Sequence, residues 1–163
     1  MDYLAHGLWS YLIFHRIKKI WAAVFFGVFP DTISWAIYLF YNIFTGQFTA
    51  RAPQIQHIPG WVFALYGFSH SLCVALIILL ICYISFRKFP YYILAWPLHI
   101  TLDLFTHSRS FLPTPIFWPF STWTFPGMRW STWWFMILNY TAIFSYLGYL
   151  LWRKKYKPKI HSK

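Results

Sequence analysis

Long runs of apolar residues are the feature that most constrains this chain. Apolar stretches of 20 or more residues recur along its 163 residues, and a soluble core does not need such lengths. About 20 helical residues, at a rise of 1.5 Å each, cross a hydrocarbon layer ~30 Å thick. The runs therefore predict an all-α integral membrane protein, and the total length allows a single membrane domain over residues 1–163.

Five apolar segments can be distinguished, at about residues 3–15, 20–45, 59–86, 91–107 and 133–152. The first is short for a full span. We expect a bundle of four transmembrane helices if this segment lies along the interface, and five if it crosses. Pro30 should break the second helix just before Asp31, because proline cannot donate a helical hydrogen bond.

The segment between the fourth and fifth runs, residues 108–132, has a different character. Prolines recur through it at Pro113, Pro115, Pro119 and Pro126, which is too dense for a helix. It is also too aromatic for a solvated loop. We therefore predict a Pro/aromatic-rich loop that is either re-entrant or interfacial.

The basic residues predict orientation rather than a polyanionic partner. Fourteen Lys and Arg face three Asp and no Glu, for a net charge of +11, but they occur in clusters between the apolar runs. With loops on alternating sides, eleven fall on the side of the basic tail, residues 153–163, and only Arg51, Arg109 and Arg129 on the other. The positive-inside rule makes the tail cytoplasmic. We expect an inner or plasma membrane protein in contact with lipids and no nucleic-acid partner.

Ionisable residues inside the predicted spans are the candidates for function: Asp31, His70, His99 and Asp103. Each costs about 2.5–3.5 kcal/mol to insert, so a functional role is the default interpretation. His99, Asp103 and His107 follow i, i+4, i+8 and share an arc of about 80° on one helix face. Histidine nitrogen and carboxylate oxygen are zinc ligands. Asp31, His70, His99 and Asp103 could all meet between the midplane and the outer leaflet, with the site opening to the extracytoplasmic side.

Structural alternatives stay open at this point. Asp31 could cap the half-helix that follows Pro30, and a His70–Asp103 hydrogen bond could serve helix packing alone. His6 is a ligand or an interfacial histidine. His107 is a ligand, a residue supporting a ligand, or part of the loop.

Several short motifs occur along the chain in an order and spacing that resemble those of a known family. They are His6, then Phe29-Pro30-Asp31, Gly67-Phe68-Ser69-His70-Ser71, and His99-x-x-x-Asp103 followed by Thr106 and the segment Pro113–Pro119. In order and spacing, over about residues 1–130, the chain resembles the small inner-membrane metal-dependent hydrolases, which are distantly similar to zinc-dependent phospholipase C-type proteins.

The resemblance implies that His6, Asp31, His70, His99 and Asp103 are metal-site residues. Two departures matter: Ile33 stands where the family often has a second acid, and Leu65-Tyr66 where it often has His-Arg. Loss of these polar side chains favours a site with one metal ion instead of two, or an inactive member of the family.

The leading hypothesis is a metal-dependent hydrolase of a phosphoester or ester, with a lipid as one candidate substrate. The cofactor is a divalent ion, with Zn²⁺ the first candidate. Asp31 serves as a fourth ligand or the general base, and Arg109 binds an anionic substrate group unless it is only an interface anchor. The alternative is a non-catalytic membrane protein: a metal or proton conduit, a scaffold, or an inactive family member. A conduit needs polar groups strung across the membrane, and the cytoplasmic half of the spans offers few.

Overall fold

The computed structural model describes residues 1–50, 53–110 and 112–156, and all regular secondary structure in this part of the chain is helical. The α-helices are α1 (Tyr3–Ile13), α2 (Ile20–Asp31), α3 (Ile37–Phe44), α4 (Gly60–Ser69), α5 (Leu72–Phe86), α6 (Ala95–Thr106) and α7 (Trp133–Tyr156). A π-helical segment, Thr32–Ala36, joins α2 to α3, and short 3-10 turns occupy Ile55–His57 and Tyr91–Leu94. The all-α prediction is confirmed for the described residues.

Two continuous helices are long and apolar enough to cross a membrane. They are Ile20–Phe44, which comprises α2, the π segment and α3, and Trp133–Tyr156. Helices α4 and α5 pass the same test only as a pair bent by 52°, so up to three spans qualify among the described residues. By contrast α1 has 11 residues, and at 1.5 Å per residue it reaches only about 16 Å.

Many polar side chains are buried in the fold, while many large apolar side chains are exposed on its surface. Trp21, Phe44 and Trp133 expose 73%, 84% and 74% of their surfaces. The buried polar side chains are His6, Ser10, Asp31, Ser34, Ser69, His70, Ser71, His99, Asp103, Thr106, His107, Thr114 and Asn139. This distribution suits hydrocarbon surroundings, where polar groups must find partners within the protein.

The second apolar segment does not break at Pro30, contrary to the sequence-based prediction. Pro30 lies inside α2, and the chain continues directly into the π segment. The hydroxyls of Thr32 and Ser34 donate to the carbonyls of Val28 and Pro30, each at 2.8 Å. The helix thus continues past the proline, and the two hydroxyls supply donors to carbonyls next to the widened π turn.

The third apolar segment bends at His70, between α4 and α5. Ser71 caps α5 by accepting a hydrogen bond from the Val74 amide at 3.2 Å. The segment of residues 112–132 reaches this bend: the Leu72 amide donates to the Ile116 carbonyl at 2.9 Å, and the Ser71 hydroxyl donates to the Trp118 carbonyl at 2.6 Å. The backbone at the bend is therefore held by hydrogen bonds outside the helices.

The same segment also covers the end of α6. The Met128 amide donates to the Phe105 carbonyl at 2.8 Å, and the Trp130 amide to the Thr106 carbonyl at 2.9 Å. The prediction of a non-helical segment between the fourth and fifth apolar runs is confirmed for its described residues. Because it is hydrogen-bonded to the start of α5 and to the end of α6, this segment fixes the position of α6 relative to the α4–α5 bend.

Close contact between α1 and α2 depends on Gly27. A Cβ atom built there would overlap the Ser10 hydroxyl and lie 2.6 Å from the Ser10 Cβ. It would also lie 3.4 Å from the His6 carbonyl oxygen, so the backbone of α1 passes directly over this position. Small residues at such crossings let helix backbones approach in membranes. The crossing therefore sets the depth of His6 relative to the turn of α2 that contains Gly27.

We expect Gly27→Ala to destabilise the fold by about 1–3 kcal/mol, because the added methyl group forces α1 and α2 apart. Thermal unfolding of the detergent-purified variant measures the effect. Gly148→Ala is the matched control, since a Cβ at Gly148 meets no atom within 4 Å. Adding Ser10→Gly to Gly27→Ala should restore stability, and equal melting temperatures for the two single glycine variants would contradict the prediction.

Candidate metal centre

Four side chains that the sequence singled out come together in the interior. One nitrogen or oxygen atom from each of Asp31, His70, His99 and Asp103 lies within 4.8 Å of the others. Asp31 comes from the end of α2, His70 from the α4–α5 bend, and the other two from adjacent turns of α6. The expected convergence of these residues is confirmed, and the group could hold a metal ion.

The distances within this group are close to those of a tetrahedral ligand set. The two Nε2 atoms of His70 and His99 are 3.3 Å apart. Asp103 Oδ2 lies 3.2 Å from His99 Nε2 and 3.5 Å from His70 Nε2. Asp31 Oδ1 lies 3.5 Å from His70 Nε2 and 4.0 Å from His99 Nε2. Ligand bonds of about 2.0–2.1 Å at tetrahedral angles separate neighbouring ligand atoms by about 3.3–3.4 Å.

Hydrogen bonds on the far side of each imidazole orient the two histidines. His99 Nδ1 donates to the Gly27 carbonyl at 2.7 Å. His70 Nδ1 donates to the Tyr66 carbonyl at 3.2 Å and lies 2.9 Å from the Ser69 hydroxyl. With Nδ1 carrying the proton in both neutral rings, the lone pairs on both Nε2 atoms face each other. This backbone carbonyl contact is the usual support of a metal-binding histidine.

A cation between these atoms would satisfy an otherwise incomplete set of partners. Oδ2 of Asp103 is buried and has no hydrogen-bond partner, although buried carboxylate oxygens nearly always have one. Two facing imidazole lone pairs and a carboxylate also repel one another unless a positive charge lies among them. The donor set therefore fits a divalent ion.

Local backbone structure explains why these residues point to one place. His99 and Asp103 are separated by one helical turn, so α6 presents both on one face. His70 lies at the break between α4 and α5, where its side chain is not constrained to a helix face. Asp31 immediately precedes the π segment, and π turns within α-helices often occur at functional sites.

His6 lies beside the four-atom group. Its Nε2 is 2.8 Å from Asp103 Oδ1, and its ring stacks on that of His99 with centroids 3.6 Å apart. The amino group of Met1 contacts the same Oδ1. One oxygen of Asp103 is thus held by neighbours while Oδ2 faces the other ligand atoms. That His6 itself binds metal stays a prediction.

His107 supports the site from the end of α6. The helix ends at Thr106, and His107 is its C-cap, with extended backbone and an amide that still donates to the Asp103 carbonyl at 2.9 Å. Its Nδ1 lies 3.0 Å from both the Tyr66 hydroxyl and the Leu112 carbonyl, and its Nε2 lies 3.5 Å from Asp103 Oδ1. These contacts suit a residue that orients a ligand.

Arg109 is the basic residue that the sequence suggests for substrate binding. Arg109 is exposed and donates to the Thr124 carbonyl at 3.3 Å. No described contact joins it to the four residues, so its role in substrate binding stays a prediction. Arg51 and residues 157–163 of the basic tail lie outside the described residues.

A cavity of about 330 Å³ opens beside the group. Asp31 and His107 line it together with aromatic residues that include Tyr3, Trp35 and Trp130. The Asp31 side chain is 11% exposed, whereas those of His70, His99 and Asp103 are completely buried. Of the four residues, Asp31 is therefore the one that a small molecule in the cavity would contact.

Sequence reasoning missed the part played by Tyr66, which it treated only as a departure from the family pattern. The Tyr66 ring stacks on His70 at 3.9 Å, its carbonyl accepts from His70, and its hydroxyl contacts His107. The signal in the sequence was its position four residues before His70, at the spacing that places side chains on one helix face.

No protein family, curated protein or solved structure matches this chain in comparisons of either sequence or fold. The functional proposal therefore rests on the geometry and chemistry of the site and on the order and spacing of its sequence motifs.

Proposed function

We propose that the chain is an integral membrane hydrolase that uses one divalent metal ion, with Zn²⁺ the leading candidate. The observation that carries the proposal is the convergence of two imidazole nitrogens and two carboxylate oxygens within 4.8 Å of one another beside a cavity. Nitrogen and oxygen donors in this number and geometry suit zinc. The resemblance to small inner-membrane metal-dependent hydrolases supports the same conclusion.

We assign His70, His99 and Asp103 as the ligands and Asp31 as the general base. Catalytic zinc sites have three protein ligands and one open position. Asp31 Oδ1 lies 4.0 Å from His99 Nε2, farther than Asp103 Oδ2 at 3.2 Å, and Asp31 alone of the four lines the cavity. A water molecule admitted there would lie within reach of its carboxylate. Asp31 as a fourth ligand remains the competing assignment.

The chemistry of the proposed reaction is ester hydrolysis. A bound zinc ion would supply Lewis acidity, polarising the ester and making water a competent nucleophile at neutral pH. Asp31 would accept a proton from the attacking water and return it to the alcohol that leaves. His6 and the Met1 amino group would hold Asp103, and the carbonyls of Gly27 and Tyr66 would keep both imidazoles oriented.

We propose a phosphoester or ester substrate, with a membrane lipid as one candidate. The cavity walls are mainly apolar and aromatic, and the chain has helices suited to a bilayer. Arg109 is retained as a candidate for contact with an anionic group at the membrane surface. The absence of the polar residues that the family often has, at Ile33 and Leu65, is the reason for proposing a single metal ion.

The proposed membrane arrangement has four to five spans, one of them formed by the 3-10 turn Tyr91–Leu94 together with α6, and the segment of residues 108–132 is re-entrant or interfacial. The charge bias of the loops supports a cytoplasmic C-terminus and a site that opens to the extracytoplasmic side. A conduit is disfavoured because the buried ionisable residues among the described positions gather in one cluster and do not form a chain along the spans.

Metal content tests the ligand assignment. We expect the detergent-purified protein to contain about one zinc ion per chain by elemental mass spectrometry, and the His99→Ala/Asp103→Ala variant to lose it, because each change removes a donor. His57→Ala is the matched control, since His57 is exposed and remote in sequence from the motifs. Equal metal content in the wild type and the double variant would exclude the site.

Hydrolysis of bis(p-nitrophenyl) phosphate and p-nitrophenyl esters tests catalysis. We expect Asp31→Asn to lower kcat/KM by about 10²–10⁴-fold, the range associated with general acid–base catalysis, while zinc content is retained. Loss of zinc together with activity would instead make Asp31 a ligand. A folded, zinc-loaded wild type that hydrolyses no phosphoester or ester would favour the non-catalytic alternative.

A further inference from the structure

A second cavity, unrelated to the His/Asp group, lies between the C-terminal ends of α1 and α7. Its volume is about 410 Å³. The polar part of its lining consists of His15, Arg16, Arg153 and Lys154, and the apolar part is supplied mainly by leucines of α7. We call this the basic cavity. Two chain segments that are far apart in sequence thus bring cations to one concave surface.

The cations of the basic cavity have no acidic partner among the described residues. The chain has three acids, Asp2, Asp31 and Asp103. Asp2 caps α1 and accepts from Tyr140, and the other two belong to the metal-binding group. Every ion pair in the described residues involves a histidine or the Met1 amino group. The basic cavity therefore has an uncompensated positive charge that suits an anionic ligand.

An apolar groove continues from the basic cavity along α1. Tyr11 and Leu147 line both spaces. The groove has a volume of about 570 Å³, and its floor is formed where Gly7 on α1 faces Val24 and Val28 on α2. A Cβ atom at Gly7 would lie 3.4 Å from Val28 and 3.9 Å from Val24. Gly7 therefore adds no side-chain atoms to the floor of the groove, against which a narrow apolar chain could lie.

We propose that this composite surface is a binding site for one anionic phospholipid. The phosphate lies among Arg16, Arg153 and Lys154, and an acyl chain follows the groove past Tyr11 and Gly7. Basic pockets between transmembrane helices bind acidic lipid headgroups, and each Lys or Arg near a membrane surface contributes about 1 kcal/mol of attraction to anionic lipids.

The apolar continuation favours a phospholipid over free phosphate. A phosphate ion would need only the basic cavity, and it would leave a groove larger than that cavity unexplained. Helix α7, which supplies Leu147 and both C-terminal cations, is itself long and apolar enough to span a membrane. The groove therefore faces the region in which lipid chains are present.

The basic end of this site is separate from the proposed catalytic centre. The basic cavity shares no lining residue with the cavity beside Asp31, and the apolar groove shares Tyr3 with it. The inference does not depend on hydrolysis or on metal binding.

Native mass spectrometry of the detergent-solubilised full chain tests the proposal, with dioleoylphosphatidylglycerol and dioleoylphosphatidylcholine as probes. We expect at least about tenfold tighter binding of the first lipid. The Arg16→Gln/Arg153→Gln/Lys154→Gln variant should lose this preference, because it removes the three cations. Arg87→Gln/Lys88→Gln, at the end of α5, removes positive charge elsewhere and should retain it. Equal affinity for both lipids, or equal loss in both variants, would overturn the site.

Two further measurements test the acyl-chain part. We expect the wild type to bind dioleoylphosphatidylglycerol at least about tenfold more tightly than the dihexanoyl form, and Gly7→Leu, which fills the groove, to abolish this difference. Thermal unfolding establishes that Gly7→Leu is folded, and the chain-length comparison in the wild type stands without it. Equal binding of both chain lengths, with displacement by inorganic phosphate, would show an ion site and overturn the lipid proposal.

Discussion

The facing imidazole nitrogens of His70 and His99, with the buried carboxylate of Asp103, form the interaction on which the rest of the structure depends. Their ligand atoms lie 3.2–3.5 Å apart, and one carboxylate oxygen has no hydrogen-bond partner. Burying such groups costs several kcal/mol unless a charge or hydrogen bond compensates for the lost water. The surrounding helices supply part of this compensation through His6 and the carbonyls of Gly27 and Tyr66, and a metal ion would supply the remainder.

Irregular backbone occurs where the site needs it. The π segment follows Asp31, the bend between α4 and α5 contains His70, and His107 directly follows the end of α6. At each point, side-chain hydroxyls or the segment of residues 112–132 provide hydrogen-bond partners. In a lipid environment, non-helical backbone is tolerated only where such partners or a cavity are present. The segment of residues 112–132 therefore helps to support the site, although none of its residues belongs to the group of Asp31, His70, His99 and Asp103.

The charges of the chain fall into two regions with different physical roles. Asp31 and Asp103 lie with histidines at one end of α1, while Arg16, Arg153 and Lys154 line a cavity at its other end. One oxygen of Asp103 has neighbouring donors in the Met1 amino group and His6, whereas these cations have no acidic neighbour in the described residues. The strong excess of basic residues thus accounts for a candidate lipid site as well as for a predicted orientation.

Sequence alone determined that the described chain is helical and identified the four residues that converge. Apolar runs of this length favour helices, and ionisable residues are costly within such runs unless they meet partners there. The i, i+4 spacing was enough to place His99 beside Asp103. It did not show that the helix continues past Pro30, because the packing that keeps the helix continuous around the proline exists only in the folded protein. Nor did it reveal Tyr66, the Gly27 carbonyl or the basic cavity. These depend on how α1, α2 and α7 approach one another, and only tertiary packing decides which distant groups come into contact.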